Sequence, residues 1–214
     1  MIDSKIIKTD KLILSNVSRE TLKELEDYSQ SILNTNKRIN LISSSTENSI
    51  KTRHIYDSAQ TIDFIDKKDI TICTDLGSGA GLPSIVLGIL MKSKKRGFKL
   101  VFYEKSYHKS NFLKEMAKKF KLEADVYQKN IFEEKNLVTD VIICRAFKPL
   151  PVIFDIATKN FKNFKYIVMY LGKSGKKILQ NVSTKWKFDL EEMKSLTSDE
   201  SSVVKISNLK KNYE

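Results

Sequence analysis

The stretch Asp75-Leu76-Gly77-Ser78-Gly79-Ala80-Gly81-Leu82-Pro83 holds three of the chain's seven glycines within five residues. A short β-branched run, Ile70 to Leu76, leads into it, and an apolar run, Leu82 to Met91, leads out. Strand, glycine turn and helix in that order open a parallel α/β unit. In an open α/β sheet, ligands sit beyond the carboxyl ends of the strands. Glycines at alternate positions allow unusual dihedrals and let a ligand approach the main chain closely. An ordinary tight strand–helix connection is the alternative. Pro83 suits the first turn of the following helix.

The period of the apolar residues extends this reading in both directions. Downstream, strands are predicted over Lys99–Tyr103, Ala124–Gln128, Asp140–Arg145 and Tyr166–Leu171, with helices over Ser106–Lys121 and Pro151–Phe161. Trp186, Phe188 and Leu190, then Val203, Val204 and Ile206, predict a terminal antiparallel pair. Upstream, Leu22, Leu25, Ser29, Ile32, Leu33 and Asn36 recur at helical spacing behind a capping Ser18, and a second helix is predicted over Thr46–Phe64. The expected architecture is α/β and Rossmann-like: a mostly parallel sheet covered on both faces, closed by a C-terminal antiparallel strand. Residues 1–68 are expected to form a helical extension packed on the core, and 69–214 the α/β domain.

Composition narrows the function. The chain has 214 residues, 41% of them apolar and 30% charged, with three Pro. That suffices for a real core and excludes disordered and collagen-like classes. The longest apolar runs are about seven residues, against roughly 20 for a membrane span, and Met1-Ile-Asp-Ser-Lys begins no secretory signal. A cytoplasmic protein with Cys73 and Cys144 as reduced thiols is expected. The net charge of +12 is uneven: residues 1–70 are neutral, while 71–145 and 146–214 carry +6 each. A polyanionic partner is one explanation, and a solvated basic surface is the other.

Spacing decides among ligands of the turn. The dinucleotide fingerprint is G-x-G-x-x-G, whereas this turn is D-x-G-x-G-x-G. It resembles motif I of the class I S-adenosylmethionine-dependent methyltransferases. Glu104, ending the next strand, stands where that family binds the ribose hydroxyls, since one carboxylate can accept from both. Gly172-Lys173-Ser174 imitates the end of a phosphate-binding loop, but Ile167 stands where its first glycine belongs. Both cysteines lie in predicted strands, where a thiol is inert, so cytosine-C5 chemistry is disfavoured. Arg145-Ala-Phe-Lys-Pro149 replaces the N/D-P-P-Y/F loop of amino-group methyltransferases. Two His, 54 residues apart, offer no metal site.

From about Leu33 to Lys177 the chain resembles the 16S ribosomal RNA (guanine-N7) methyltransferase family, also called the glucose-inhibited division protein B family. Its pieces are Asn40-Leu41, Arg53-His54-Ile-Tyr-Asp57-Ser58, the glycine turn, Glu104 with the basic stretch to Lys109, Asn111-Phe-Leu, and Arg145-Ala-Phe. The resemblance implies methyl transfer from S-adenosylmethionine to N7 of a guanine near the decoding centre of small-subunit rRNA. Another RNA substrate, or a non-catalytic RNA-binding role, is the alternative. By position, the cofactor contacts implied are Asp75, Gly77, Gly79, Gly81, Leu82, Glu104, Ile131, Phe132 and Arg145, with Arg145 also orienting the reaction. RNA contacts are expected at Lys92, Lys94, Lys95, Arg96, Lys109, Lys114, Lys118, Lys119, Lys173, Lys176 and Lys177. Arg53 and Asp57, at i and i+4, form an ion pair or touch substrate. A monomer with 16S rRNA as its partner is expected.

Overall fold

The computed structural model describes residue 14 and residues 17–212, and the side chain of Lys176 lies outside the described residues. The first long helix, α1 (Arg19–Asn36), starts where Ser18 Oγ accepts the Thr21 N–H at 3.2 Å. The α/β part then runs β1 (Ile72–Leu76), α2 (Ser84–Met91), β2 (Lys99–Tyr103), α3 (Tyr107–Lys119), β3 (Ala124–Tyr127), β4 (Leu137–Val138), β5 (Val141–Cys144), α4 (Leu150–Asn160), β6 (Phe161–Asn163), β7 (Tyr166–Leu171), α5 (Gly175–Ser183), β8 (Trp186–Lys194) and β9 (Ser202–Lys211).

Seven strands form one sheet in the order β3-β2-β1-β5-β7-β9-β8. The strands from β3 to β7 are parallel, and β9 pairs antiparallel with both β7 and β8. The chain leaves β1 toward β2 and later returns to β1's other side as β5. That reversal of direction is a switch point, where loops diverge and a crevice opens. The mostly parallel sheet with its antiparallel closure is the architecture expected from the sequence.

Each face of the sheet has its own core. On one, α1, α2 and α3 contribute Tyr28, Ile32, Ile85, Leu113 and Met116; on the other, α4 and α5 contribute Phe154, Leu179 and Val182 beside Trp186. All eight residues of α2 are buried, because α1 covers the side that the sheet does not. Tyr28 is the link to the glycine turn. Its fully buried hydroxyl donates to the Ala80 carbonyl at 2.7 Å, and its ring meets Phe120 edge-on.

The helix predicted over Thr46–Phe64 is broken instead. A 3-10 segment (Ser44–Ser49) passes into a π turn (Lys51–Tyr56), then into short α turns at Asp57–Ala59 and Ile62–Ile65. Hydroxyls explain the break: Thr46, Ser49 and Thr52 each donate to the carbonyl three residues back, which competes with regular helix bonding. Helix α5 and the two-stranded β4–β6 sheet were not expected; both are short, and α5 carries its apolar face on only Ile178, Leu179 and Val182. Among the described residues no helix is long and apolar enough to cross a membrane.

Replacing Tyr28 by Phe keeps the packing but leaves the Ala80 carbonyl buried and unpaired. Urea unfolding is expected to show a loss of about 1–3 kcal/mol; an unchanged midpoint would mean that the bond does not hold α1 to the turn.

Candidate cofactor cleft

Strands β1 and β2 end in register, Leu76 opposite Tyr103. The turn is then bound to the end of β2. Gly77 N–H and Ser78 N–H both donate to the Tyr103 carbonyl, at 2.9 and 3.4 Å. Gly79 N–H donates to Glu104 Oε2 at 3.0 Å, while Glu104 Oε1 accepts from Ser106 N–H at 2.8 Å. A carboxylate has about four lone-pair positions, so Glu104 can still accept from a ligand.

The glycines differ in what surrounds them. Gly79 has φ +56°, and a Cβ there would meet nothing nearer than the Gly77 carbonyl oxygen at 3.9 Å, so this part of the turn is bare and open. At Gly77 a Cβ would fall 2.0 Å from Phe147 Cδ2; at Gly81 it would fall 2.5 Å from Ile85 Cγ1. All three have positive φ, and at Gly77 and Gly81 packing enforces glycine as well.

A cavity of about 340 Å³ opens beside this turn, lined by Gly77, Tyr103, Glu104, Lys105, Lys129, Asn130, Ile131, Phe132, Ala146, Phe147 and Lys148. Its volume is within the roughly 300–1,000 Å³ of small-molecule sites. Its far wall is a 3-10 turn, Ile131–Glu133, that Asn130 caps. Buried Asn160, the last residue of α4, donates to the Ile131 and Glu134 carbonyls at 2.7 Å each and fixes that wall. Of the cofactor contacts expected from the sequence, Gly77, Glu104, Ile131 and Phe132 thus come together. Gly79 joins them through its bond to Glu104. Asp75, Gly81 and Leu82 are buried behind the turn. Phe147, Lys148, Lys105 and Lys129 line the cavity without having been expected there; their one signal in the sequence is their place just after a strand.

Arg145 lies elsewhere. Its Nη2 pairs with Asp57 Oδ2 at 2.9 Å and donates to the Arg53 carbonyl at 2.7 Å, and its guanidinium stacks 4.9 Å over Tyr170. Asp57 Oδ1 also accepts from Gln60 at 2.7 Å and from the Ser195 and Thr197 hydroxyls at 3.1 Å each. The π turn explains why Asp57 does not pair with Arg53: its wider turn takes residues four apart off a common face, leaving Arg53 exposed and Asp57 buried. His54 Nε2 meets Thr46 Oγ1 at 2.8 Å. Burial, with Arg145 and Arg53 nearby, lowers the His54 pKa to about 4, so this imidazole is neutral at pH 7.

The lysines expected to grip RNA fall on two edges. Lys94, Lys95 and Arg96 follow α2 and precede β2, at the amino ends of the strands and opposite the cleft. There Lys94 pairs with Asp66, and Lys95 bonds to the Lys67 and Lys68 carbonyls. Lys92 is held by Glu24 and the Phe120 carbonyl, and Lys119 by Ser31. Lys114 and Lys118 lie along α3, which runs back toward that same edge. Lys109 lies one turn into α3 on the cleft edge, and Lys173 and Lys177 follow β7, with Lys173 paired to Glu200. Lys176 is outside the described residues. Cys73 and Cys144 are free and buried in β1 and β5, where desolvation raises both thiols.

Asp75 is 1% exposed. Burial raises its carboxyl from 3.8 to about 7, with Glu104 adding to the rise. Ser78 Oγ donates to the main-chain carbonyl of Asp75, at 3.0 Å, and neither Asp75 Oδ2 nor Ser84 Oγ has a hydrogen-bond partner among the described residues.

Comparison with known proteins fits this geometry. Residues 21–205 match the family model GidB, described as rRNA small subunit methyltransferase G. A ribosomal RNA small subunit methyltransferase G from Pelagibacter ubique is 43% identical over 198 residues, 92% of each chain. One from Bartonella henselae is 35% identical over 200 residues, again 92% of each. Among solved structures, a SAM dependent methyltransferase from Aquifex aeolicus aligns with TM-score 0.55 at 14% identity, over 74% of this chain and 92% of that one. M. capricolum TrmK, solved with S-adenosyl-homocysteine, aligns with TM-score 0.51 at 15% identity, over 70% and 66%. These likenesses carry the fold, which is that of the SAM-dependent methyltransferases.

A raised carboxyl binds its proton more tightly in the folded chain than in the unfolded one. Folding is therefore favoured below pH 4, and that advantage is lost as pH rises toward 7. His54 acts oppositely below pH 6.5, so the comparison must isolate Asp75. Relative to wild type, Asp75→Asn is expected to gain on the order of 4 kcal/mol in unfolding free energy between pH 4 and 8, read by denaturant titration at each pH. A pH-independent difference would contradict the raised carboxyl.

Proposed function

The chain belongs to the rRNA small subunit methyltransferase G family, and from that footing we propose that it methylates N7 of a guanine in 16S rRNA near the decoding centre. The observation that carries the reading is the family match over residues 21–205 together with an open glycine turn, bonded to Glu104, at the mouth of a ligand-sized cavity. The residues fit S-adenosylmethionine. Gly77 and Gly79 offer main chain, Glu104 keeps lone pairs for ribose hydroxyls, and Ile131 and Phe132 offer an apolar surface for adenine. The bound cofactor supplies an electrophilic sulfonium methyl.

Guanine N7 carries an in-plane lone pair and no proton, so its attack needs no general base. The task left to the protein is positioning: reacting atoms held about 3–3.5 Å apart and in line, which can lower the barrier by roughly 7–11 kcal/mol. Two buried thiols agree with chemistry that asks for no nucleophile. Arg145 is a positioning residue in this reading. Paired with Asp57, it joins the segment before β1 to the ends of β5 and β7, and its buried Nη1 has no partner among the described residues. In an RNA helix N7 faces the deep, narrow major groove that side chains do not reach, so the substrate guanine is unpaired or extruded. The enzyme acts as a cytoplasmic monomer on 16S rRNA, whether naked, in an assembly intermediate or in the whole small subunit.

Undermethylated small subunits incubated with methyl-labelled S-adenosylmethionine are expected to acquire label in 16S rRNA, at a guanine that becomes sensitive to N7-methylguanine cleavage. Label on adenine, on cytosine or only on protein would overturn the assignment.

A further inference from the structure

The side chains around the cleft indicate how the substrate is held. Among the described residues, the exposed large aromatics are Tyr107 (60% exposed), Tyr127 (39%) and Phe132 (44%). All three are on the cleft edge. Tyr127 ends β3, and its carbonyl accepts the Glu104 N–H at 3.1 Å. Tyr107 opens α3 three residues after Glu104. Phe132 lies on the cavity wall. Cations alternate with them: Lys129 Nζ is 5.9 Å from the Tyr127 ring and Lys148 Nζ 5.9 Å from the Phe132 ring. Lys105 and Lys148 are exposed and have no acidic partner among the described residues. The contrast with the opposite edge is physical. There Lys92, Lys94, Lys95, Lys99 and Lys165 are bound to carboxylates or carbonyls of the chain itself.

Exposed rings waste apolar surface unless something covers them. Lys129 is paired with Glu134 at 3.1 Å, but Lys105 and Lys148, left without carboxylates beside those rings, select an anion with flat apolar faces. A protein helix would cover the rings but would not need the cations, and duplex RNA would need the cations but keeps its bases stacked inside. Single-stranded RNA answers both, with phosphates on lysines and bases on aromatic faces. We propose that Tyr107 and Tyr127, with Lys105 and Lys148, form a stacking strip, beside the adenine wall at Phe132, for unpaired nucleotides flanking the methylated guanine. This rests on the proposed activity and adds to it a substrate requirement: strand segments beside the target that are free to unstack.

Tyr107 is the residue to test, because it is the most exposed ring and lies outside the cofactor cavity. Two probes serve: a fluorescein-labelled single-stranded oligoribonucleotide and a hairpin duplex of the same composition, each titrated by anisotropy into the full chain at fixed salt. Tyr107→Ala is expected to weaken the single strand by about 5- to 100-fold, to leave the duplex unchanged, and to keep wild-type affinity for S-adenosylmethionine by calorimetry. Tyr107→Phe, which retains the ring, is expected to restore single-strand binding. Unchanged single-strand affinity in Tyr107→Ala, equal losses on both probes, or no rescue by Phe would each overturn the strip. A wild-type chain that binds the single strand but not S-adenosylmethionine would instead overturn the proposed activity and leave the strip standing.

Discussion

Two parallel strands ending at the same level, β1 and β2, set the geometry of the whole functional edge. The Tyr103 carbonyl takes the N–H groups of Gly77 and Ser78, and the Glu104 carboxylate takes those of Gly79 and Ser106. Four main-chain donors that would otherwise need water are thereby satisfied by the neighbouring strand's end. Charge-assisted bonds to a carboxylate are roughly twice as strong as neutral ones, so Glu104 fixes the turn before any ligand arrives. One residue thus shapes the turn and offers a ligand the lone pairs that remain. Tyr28 secures the same turn from behind, through Ala80.

A second anchor lies on the other side of the switch point. Asp57 and Arg145 form a largely buried ion pair to which Gln60, Ser195 and Thr197 add hydrogen bonds. Such pairs contribute little net stability, because desolvation offsets the attraction, but breaking one strands a charge. Their value here is registry. The pair joins the irregular segment before β1 to the end of β5 and to the turn between β8 and β9, three regions far apart in the chain. The R-H-x-x-D-S and R-A-F elements, separated by some ninety residues in the sequence, are two halves of one contact.

The parallel sheet was legible because its signals are local: β-branched runs, a glycine turn and helical periods in alternation. The cavity was legible where a residue's place after a strand fixed its direction, as for Gly77 and Glu104; Ile131 and Phe132 came from the family resemblance alone. What escaped was decided by tertiary contact. Hydroxyls of Thr46, Ser49 and Thr52 turned a predicted helix into 3-10 and π turns, and no apolar period records that. The pairing of Arg145 with Asp57 escaped, because Asp57 faces that guanidinium only where the π turn rotates it inward. The basic residues were legible in number but not in placement, since the sequence does not say which lysines have carboxylates within reach.

The central claim is that the bare bend from Gly77 to Gly79, with Glu104 beside it, receives the methyl donor. A crystal structure of the chain with S-adenosylhomocysteine tests it most directly. The ligand is expected along that bend, its ribose hydroxyls on the Glu104 carboxylate and its adenine against Ile131 and Phe132. Ligand density in another cavity, or an empty cleft at saturating ligand, would contradict it.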